Sequence, residues 1–153
     1  FQVGHSVDFL VCGCDGVNYL TEDGQLRGFF SSAFTALKPG GALAFDISSP
    51  AKFARMRTER AYCEERDDVA YLWFNTFHGD RPLVTMDITF FQRISGETYR
   101  RFSERHVQRV HQPQELRARL EEAGFTDISV FGDQTFAEPK DTDLRIHIAA
   151  RRP

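Results

Sequence analysis

Residues 7 to 48 constrain the fold most tightly. Val7 to Cys12 (VDFLVC) is a short, continuous apolar run, the pattern of a strand buried on both faces of a parallel sheet. Thr21 has the features of a helix N-cap, followed by Glu22 and Asp23 where the helix dipole favours negative charge. Leu26, Phe29, Phe30, Ala33, Phe34 and Leu37 then recur at helical spacing and make one broad apolar face. KPGG, residues 38 to 41, is expected to end that helix, since Pro39 cannot continue it and the glycines supply a turn. ALAFDIS, 42 to 48, reads as a second buried strand ending in Asp46 and two serines. Strand, helix, strand with tight loops is half of a doubly wound α/β sheet, with a right-handed crossover.

From residue 60 to 111 the periodicity switches to two. Ala70, Leu72 and Phe74 alternate with Tyr71, Trp73 and Asn75, and Val84, Met86, Ile88 and Phe90 alternate with Thr85, Asp87, Thr89 and Phe91. GDRP (79 to 82) and SGE (95 to 97) are turn signals, so an antiparallel meander is expected, its last strand ETYRRFSERHVQRVH strongly polar. Pro113 then opens a helix with the stripe Leu116, Leu120, Ala123 and a Gly124 cap, and FTDISVFGD and LRIHIAARR read as two closing strands.

The 153 residues suit one domain. No apolar run approaches the roughly 18 residues that cross a bilayer, so no membrane role is expected. A formal charge of -3 and a pI near 6.0 give no electrostatic case for nucleic acid. Cysteines 12, 14 and 63 are odd in number with no CxxC pair, which fits a reducing, cytoplasmic compartment. The five histidines lack metal-ligand spacing, so no metal is expected.

VDFLVCGCDGVNYL…LKPGGALAFDIS resembles the fourth strand, following helix and fifth strand of a class I S-adenosylmethionine-dependent methyltransferase. QELRARLEEAGFTDISVFGD is similar to that family's last helix and penultimate strand, LRIHIAARR to its closing antiparallel strand, and the meander to a group of small bacterial methyltransferases. The resemblance implies an α/β, Rossmann-like methyltransferase fold, partial, with strands in the order 4-5-7-6 and residues 60 to 111 inserted as a β-sheet lid. The family's Gly-rich turn after its first strand, and the acidic residue after its second, have no counterpart in these residues. Residues 1 to 153 are therefore expected to be a single, truncated methyltransferase domain. The strand at 7 to 12 is then an open edge that a second copy of the chain could cover.

The resemblance implies S-adenosylmethionine as cofactor and a small-molecule acceptor. Cys14, Asp15 and Gly16 are expected to line the cofactor site beyond the strand's carboxyl end, with Asn18 and Tyr19 nearer the acceptor. Asp15 and Asn18 could instead cap a turn. Asp46, at the second strand's carboxyl end, could orient or deprotonate an acceptor, or cap the turn at Ser48 and Ser49. His106 is the best base on the meander. Arg109, in a row with Arg101 and Arg105, could bind a substrate carboxylate or phosphate, or lie on a solvated face paired with acids. Trp73, with Phe90 and Phe91, could wall an acceptor pocket or sit in the core. A non-catalytic α/β interaction or dimerisation module is the alternative to methyl transfer.

Overall fold

The computed structural model describes all 153 residues as two four-stranded sheets joined at one corner. β1 (Val7–Cys12) leads through a single 3-10 turn, Gly16–Tyr19, to α1 (Asp23–Ala36) and β2 (Leu37–Ser48). α2 (Pro50–Thr58) then leads into the meander β3 (Ala61–Arg66), β4 (Val69–Phe77), β5 (Leu83–Ser95) and β6 (Thr98–Arg109). α3 (Pro113–Glu122), β7 (Thr126–Phe131) and β8 (Arg145–Arg151) close the chain. The first sheet has the order β1-β2-β8-β7, with β1 parallel to β2 and β8 antiparallel to both its neighbours. This is the expected 4-5-7-6 arrangement. No helix is long and apolar enough to cross a membrane.

The apolar stripes of α1 and α3 cover one face of this sheet. Leu26, Phe30 and Ala33 from α1 and Leu116 and Leu120 from α3 meet Leu43, Phe45, Ile47, Ile146 and Ile148 in one buried cluster. Each fully buried Leu or Phe contributes about 2 to 3 kcal/mol by removal from water. The opposite face carries no helix, and there the sequence reading needs correction. β1 is an edge strand, with Phe9 58% and Val11 64% exposed, so it is buried on one face only.

Three boundaries also differ from expectation. α1 is capped one residue later than Thr21, by Glu22, whose backbone N–H donates to the Gln25 side chain at 3.1 Å. KPGG is not a loop, because β2 starts at Leu37, directly after the helix. The helix end is closed by Arg152, whose guanidinium donates to the carbonyls of Phe34 at 2.8 Å and Leu37 at 2.6 Å. Gly41 is required in this crossing, since a Cβ there would lie 3.0 Å from the Asp8 carbonyl oxygen of β1 and 2.9 Å from that of Lys38. α2 was not expected, although its signals are present: Ser49 Oγ accepts from Lys52 N–H at 3.1 Å and Pro50 occupies the first turn. Phe53 and Met56 of α2 pack against Val84 and Met86 of β5, which fastens α2 to the meander.

His111, between β6 and α3, is fully buried and its Nε2 lies 3.2 Å from the Val17 carbonyl. Nε2 therefore carries the proton, and Nδ1 is left without a partner. Burial, helped by the charge of Arg109, lowers its pKa below the ordinary 6.5. Unfolded chains take up this proton as the pH falls below about 6.5, while the folded state resists it until lower pH. Stability is thus complete above that value and falls on acidification. Urea melts across this range should show the loss in the wild type and a shallower pH dependence in His111→Gln.

Candidate active site

The loop after β1 turns on left-handed backbone at Cys14 (φ 55°) and Asp15 (φ 51°). Gly16 leaves room for the thiol of β1, since a Cβ at that position would lie 2.8 Å from Cys12 Sγ and force it to move. The turn ties itself with Gly16 N–H to the Gly13 carbonyl and Asn18 N–H to the Asp15 carbonyl. Cys14 is exposed at its tip. The loop thus presents backbone and small side chains beyond the carboxyl end of β1, the ligand position of open α/β sheets.

Asp46 neither caps the Ser48–Ser49 turn nor stands free as a base. Its Oδ2 accepts the Asp15 N–H at 3.0 Å and also pairs with Arg145 of β8. Arg145 reaches Asp15 as well, at 3.4 Å. Asp46 is 7% exposed, so its charge is spent on fixing the loop. Asn18, expected beside the acceptor, is instead fully buried. Its side chain accepts from Ser48 N–H at 2.9 Å and donates to the carbonyls of Ser48, at 3.3 Å, and Arg109, at 2.9 Å. With its amide consumed by backbone and no surface exposed, it is a strut between the loop, β2 and β6.

Register decides which face of the lid looks inward. Trp73 opposes Ile88, which opposes Glu104, and Asn75 opposes Met86, which opposes His106. Directly opposed residues share a face, so Trp73, Met86, Ile88, Glu104, His106 and Gln108 all look toward the sheet. Leu72, Phe74 and Phe91 lie on the outer face, which removes Phe91 from the expected wall. Phe90 is on the inner face, where it stacks on Phe102 at 5.1 Å, away from the cleft.

Between this face and the loop lies a cleft of about 110 Å³, lined by Asp15, Tyr19, Lys52, Met56, Trp73, Met86, Ile88, His106 and Gln108. Four residues singled out from sequence (Asp15, Tyr19, Trp73, His106) converge here from three separate segments. Tyr19 Oη lies 3.1 Å from His106 Nδ1, their rings edge-on at 5.8 Å. His106 Nε2 lies 3.1 Å from Glu104. Gln108 donates to Asp15 at 2.6 Å, Trp73 to Asn75 at 2.7 Å, and Lys52 to Ser48 Oγ at 3.0 Å. Burial, with the charges of Asp15 and Glu104, raises the Tyr19 pKa above 10.0, so the phenol is protonated at neutral pH.

The Arg109 guanidinium turns away from this cleft. It pairs with Glu115 at 2.6 Å and donates to the Thr21 carbonyl, while Arg105 pairs with Asp87 on the outer face. Arg105 and Arg109 of the row are therefore paired charges. Sequence reasoning missed Lys52, and it put Glu104 and Gln108 on the face of His106 without placing them at the cleft. Glu104 and Gln108 share the two-residue period of His106, which was a usable signal, but Lys52 needed the unexpected α2. A larger depression, about 670 Å³, lies by the start of α3 and the loop before β8 and contains none of the expected residues.

No family model matches the chain. It is 33% identical over 145 residues to a Bacillus subtilis protein named "Putative methyltransferase YqeM", covering 95% of this chain and 58% of that protein. It is 30% identical over 148 residues to "Putative methyltransferase GWCH70_2453" of a Geobacillus species, covering 96% of this chain and 60% of that protein. Among solved structures it superposes on an S-adenosylmethionine-dependent methyltransferase of Clostridium acetobutylicum with a TM-score of 0.87 at 25% identity, covering 99% of this chain and 60% of that one. The sugar N-methyltransferase KedS8 of Streptoalloteichus shares the fold at a TM-score of 0.73 and 18% identity. The chain thus spans about three-fifths of the length of the proteins it matches.

Asn18→Ala would leave buried backbone groups of Ser48 and Arg109 unpaired, at a cost of about 2 to 3 kcal/mol. Denaturant melts should show that loss, whereas Cys14→Ser, at the exposed tip, should be neutral within about 0.5 kcal/mol.

Proposed function

We propose that this chain, which by sequence and fold groups with the class I S-adenosylmethionine-dependent methyltransferases, is the acceptor-binding part of an enzyme that methylates a small molecule. The convergence of Tyr19, His106 and Asp15 on one cleft beside the loop after β1 carries this reading. Two sheets that share no strand meet at this corner, and the cleft there gathers Asp15, Lys52, His106 and Gln108 beside Trp73, Met86 and Ile88.

Cys14, Asp15 and Gly16 would form one wall for the methionine portion of S-adenosylmethionine. The residues fit that role, because the loop is narrowed to backbone by its small side chains and nothing but Asp46 stands near Gly13. S-adenosylmethionine, when bound, supplies a methyl group on a positively charged sulfur. The chain's own residues then align the acceptor and accept its proton, which methyl transfer needs more than any strict catalytic signature. His106 is the base in this reading, Tyr19 and Trp73 contact the acceptor, and Asp46 holds the loop. The cleft admits a functional group and its immediate neighbours, which favours a small acceptor or the end of a larger one.

The opposite wall of the cofactor site would come from residues beyond the open edge of β1. That edge, the exposed Phe9 and Val11, and the apolar depression of about 420 Å³ at Val11, Phe45, Phe131 and Phe136 support this. It also accords with the two-fifths of the relatives' length that this chain does not cover. Three free cysteines suit a reducing compartment such as the cytoplasm.

Calorimetric titration with S-adenosylmethionine tests the reading in two forms, this chain and this chain extended to the relatives' full length. The extended form should bind and the shorter one should not. Failure of both would favour an interaction module, and light scattering showing a dimer of the short form would place a second copy on the β1 edge. In the extended form His106→Ala should lower kcat by about 100-fold with S-adenosylmethionine affinity unchanged.

A further inference from the structure

We propose that Tyr19, His106 and Glu104 form a directional proton relay, with the Tyr19 hydroxyl as the group that touches the acceptor and Glu104 as the residue that sets its direction. This deepens the preceding reading and rests on it. The argument runs through hydrogen-bond inventory. An ionised carboxylate only accepts, so the 3.1 Å contact of Glu104 with His106 requires the proton on Nε2. In neutral imidazole that leaves Nδ1 as a bare lone pair. Nδ1 faces Tyr19 Oη at 3.1 Å, so the phenol must donate to it. The Gln108 amide approaches the Tyr19 oxygen on one side, and the remaining lone pair of this cleft-lining residue is left for the acceptor.

Every bond in the chain therefore points one way, from the cleft through Tyr19 to His106 and on to Glu104. The raised pKa of Tyr19 is consistent with a hydroxyl that passes a proton rather than a resident phenolate. Exposure sets Glu104 apart from the inner carboxylate. Glu104 is half exposed, while Asp15 on the inner side is 19% exposed and already occupied by Gln108 and Arg145. A proton arriving at His106 thus has a route to solvent by way of Glu104.

In the transfer step the acceptor heteroatom forms its new bond to the methyl carbon as that carbon's bond to the sulfonium sulfur breaks. The acceptor's proton moves to Tyr19 Oη while the Tyr19 proton moves to His106 Nδ1. The imidazolium formed is stabilised by Glu104 and later releases its proton to water. The relay defines the acceptor class: an amine or hydroxyl, which must lose a proton on methylation. A carboxylic acid arrives ionised and has no use for the device.

Two measurements on the extended protein test this independently. Nitrogen-15 spectra of the His106 ring should show the Nε2–H tautomer in the wild type and a mixture in Glu104→Gln, whose amide can donate as well as accept. Kinetically, Tyr19→Phe and Glu104→Gln, both shape-preserving, should each lower kcat by at least about 10-fold with little change in KM, and the double variant should be no worse than the poorer single one. An Nδ1–H tautomer in the wild type, full kcat in Tyr19→Phe, or preferential methylation of carboxylic acids would overturn the relay. No methyl transfer by the wild type to any amine, hydroxyl or carboxylic acid would instead remove the enzyme reading itself.

Discussion

The two sheets of this protein share no strand, so everything at the cleft depends on how the lid is fastened to the α/β sheet. The fastening is a small set of buried polar bonds at one corner. Asn18 spans β2 and β6 with a single side chain, accepting from Ser48 and donating to the carbonyls of Ser48 and Arg109. Gln108 of β6 donates to Asp15, whose backbone N–H is in turn held by Asp46. His111 completes the corner by donating to Val17. Apolar packing of Phe53 and Met56 against Val84 and Met86 adds area without direction. The polar bonds supply the direction, because a buried amide left unpaired costs more than a displaced methyl group.

This fastening explains the division of labour among the carboxylates. Asp46 and Asp15 stand where the fold exposes reactive groups, yet both are absorbed by Arg145 and the loop backbone. Their role is to hold left-handed backbone at Cys14 and Asp15 in place, a strained conformation for residues with a Cβ. On the meander, His106 has a phenol on one side and a carboxylate on the other. In the proposed reaction, a base on the meander and a cofactor loop on the sheet would approach the acceptor from opposite directions, as an in-line displacement requires.

The open side of the first sheet belongs to the same picture. β2 and β8 are covered on one face by α1 and α3, while Phe9 and Val11 of β1 face outward. A strand with a free hydrogen-bonding edge and apolar side chains is a surface built to be paired. Asp8 and Lys38, joined at 2.9 Å, place charge near one end of that edge but leave its middle apolar.

Much of this was legible from residues alone. The apolar runs at 7 to 12 and 42 to 48, the three-four spacing from Leu26 to Leu37 and the Pro113 start determined the elements, since backbone hydrogen bonding and burial of a stripe are local demands. The two-residue period determined the meander and put Glu104, His106 and Gln108 on one face. What the sequence could not determine was which face looks inward, because alternation is symmetric until a partner surface exists. Nor could it separate Asn18 and Asp46, which are struts, from Tyr19 and His106, which line the cleft, because all four are polar side chains able to bind either backbone or a ligand. That distinction came from tertiary structure: burial took the hydrogen-bonding capacity of the first pair, and the docking of the meander set the second pair against each other along the wall of the cleft.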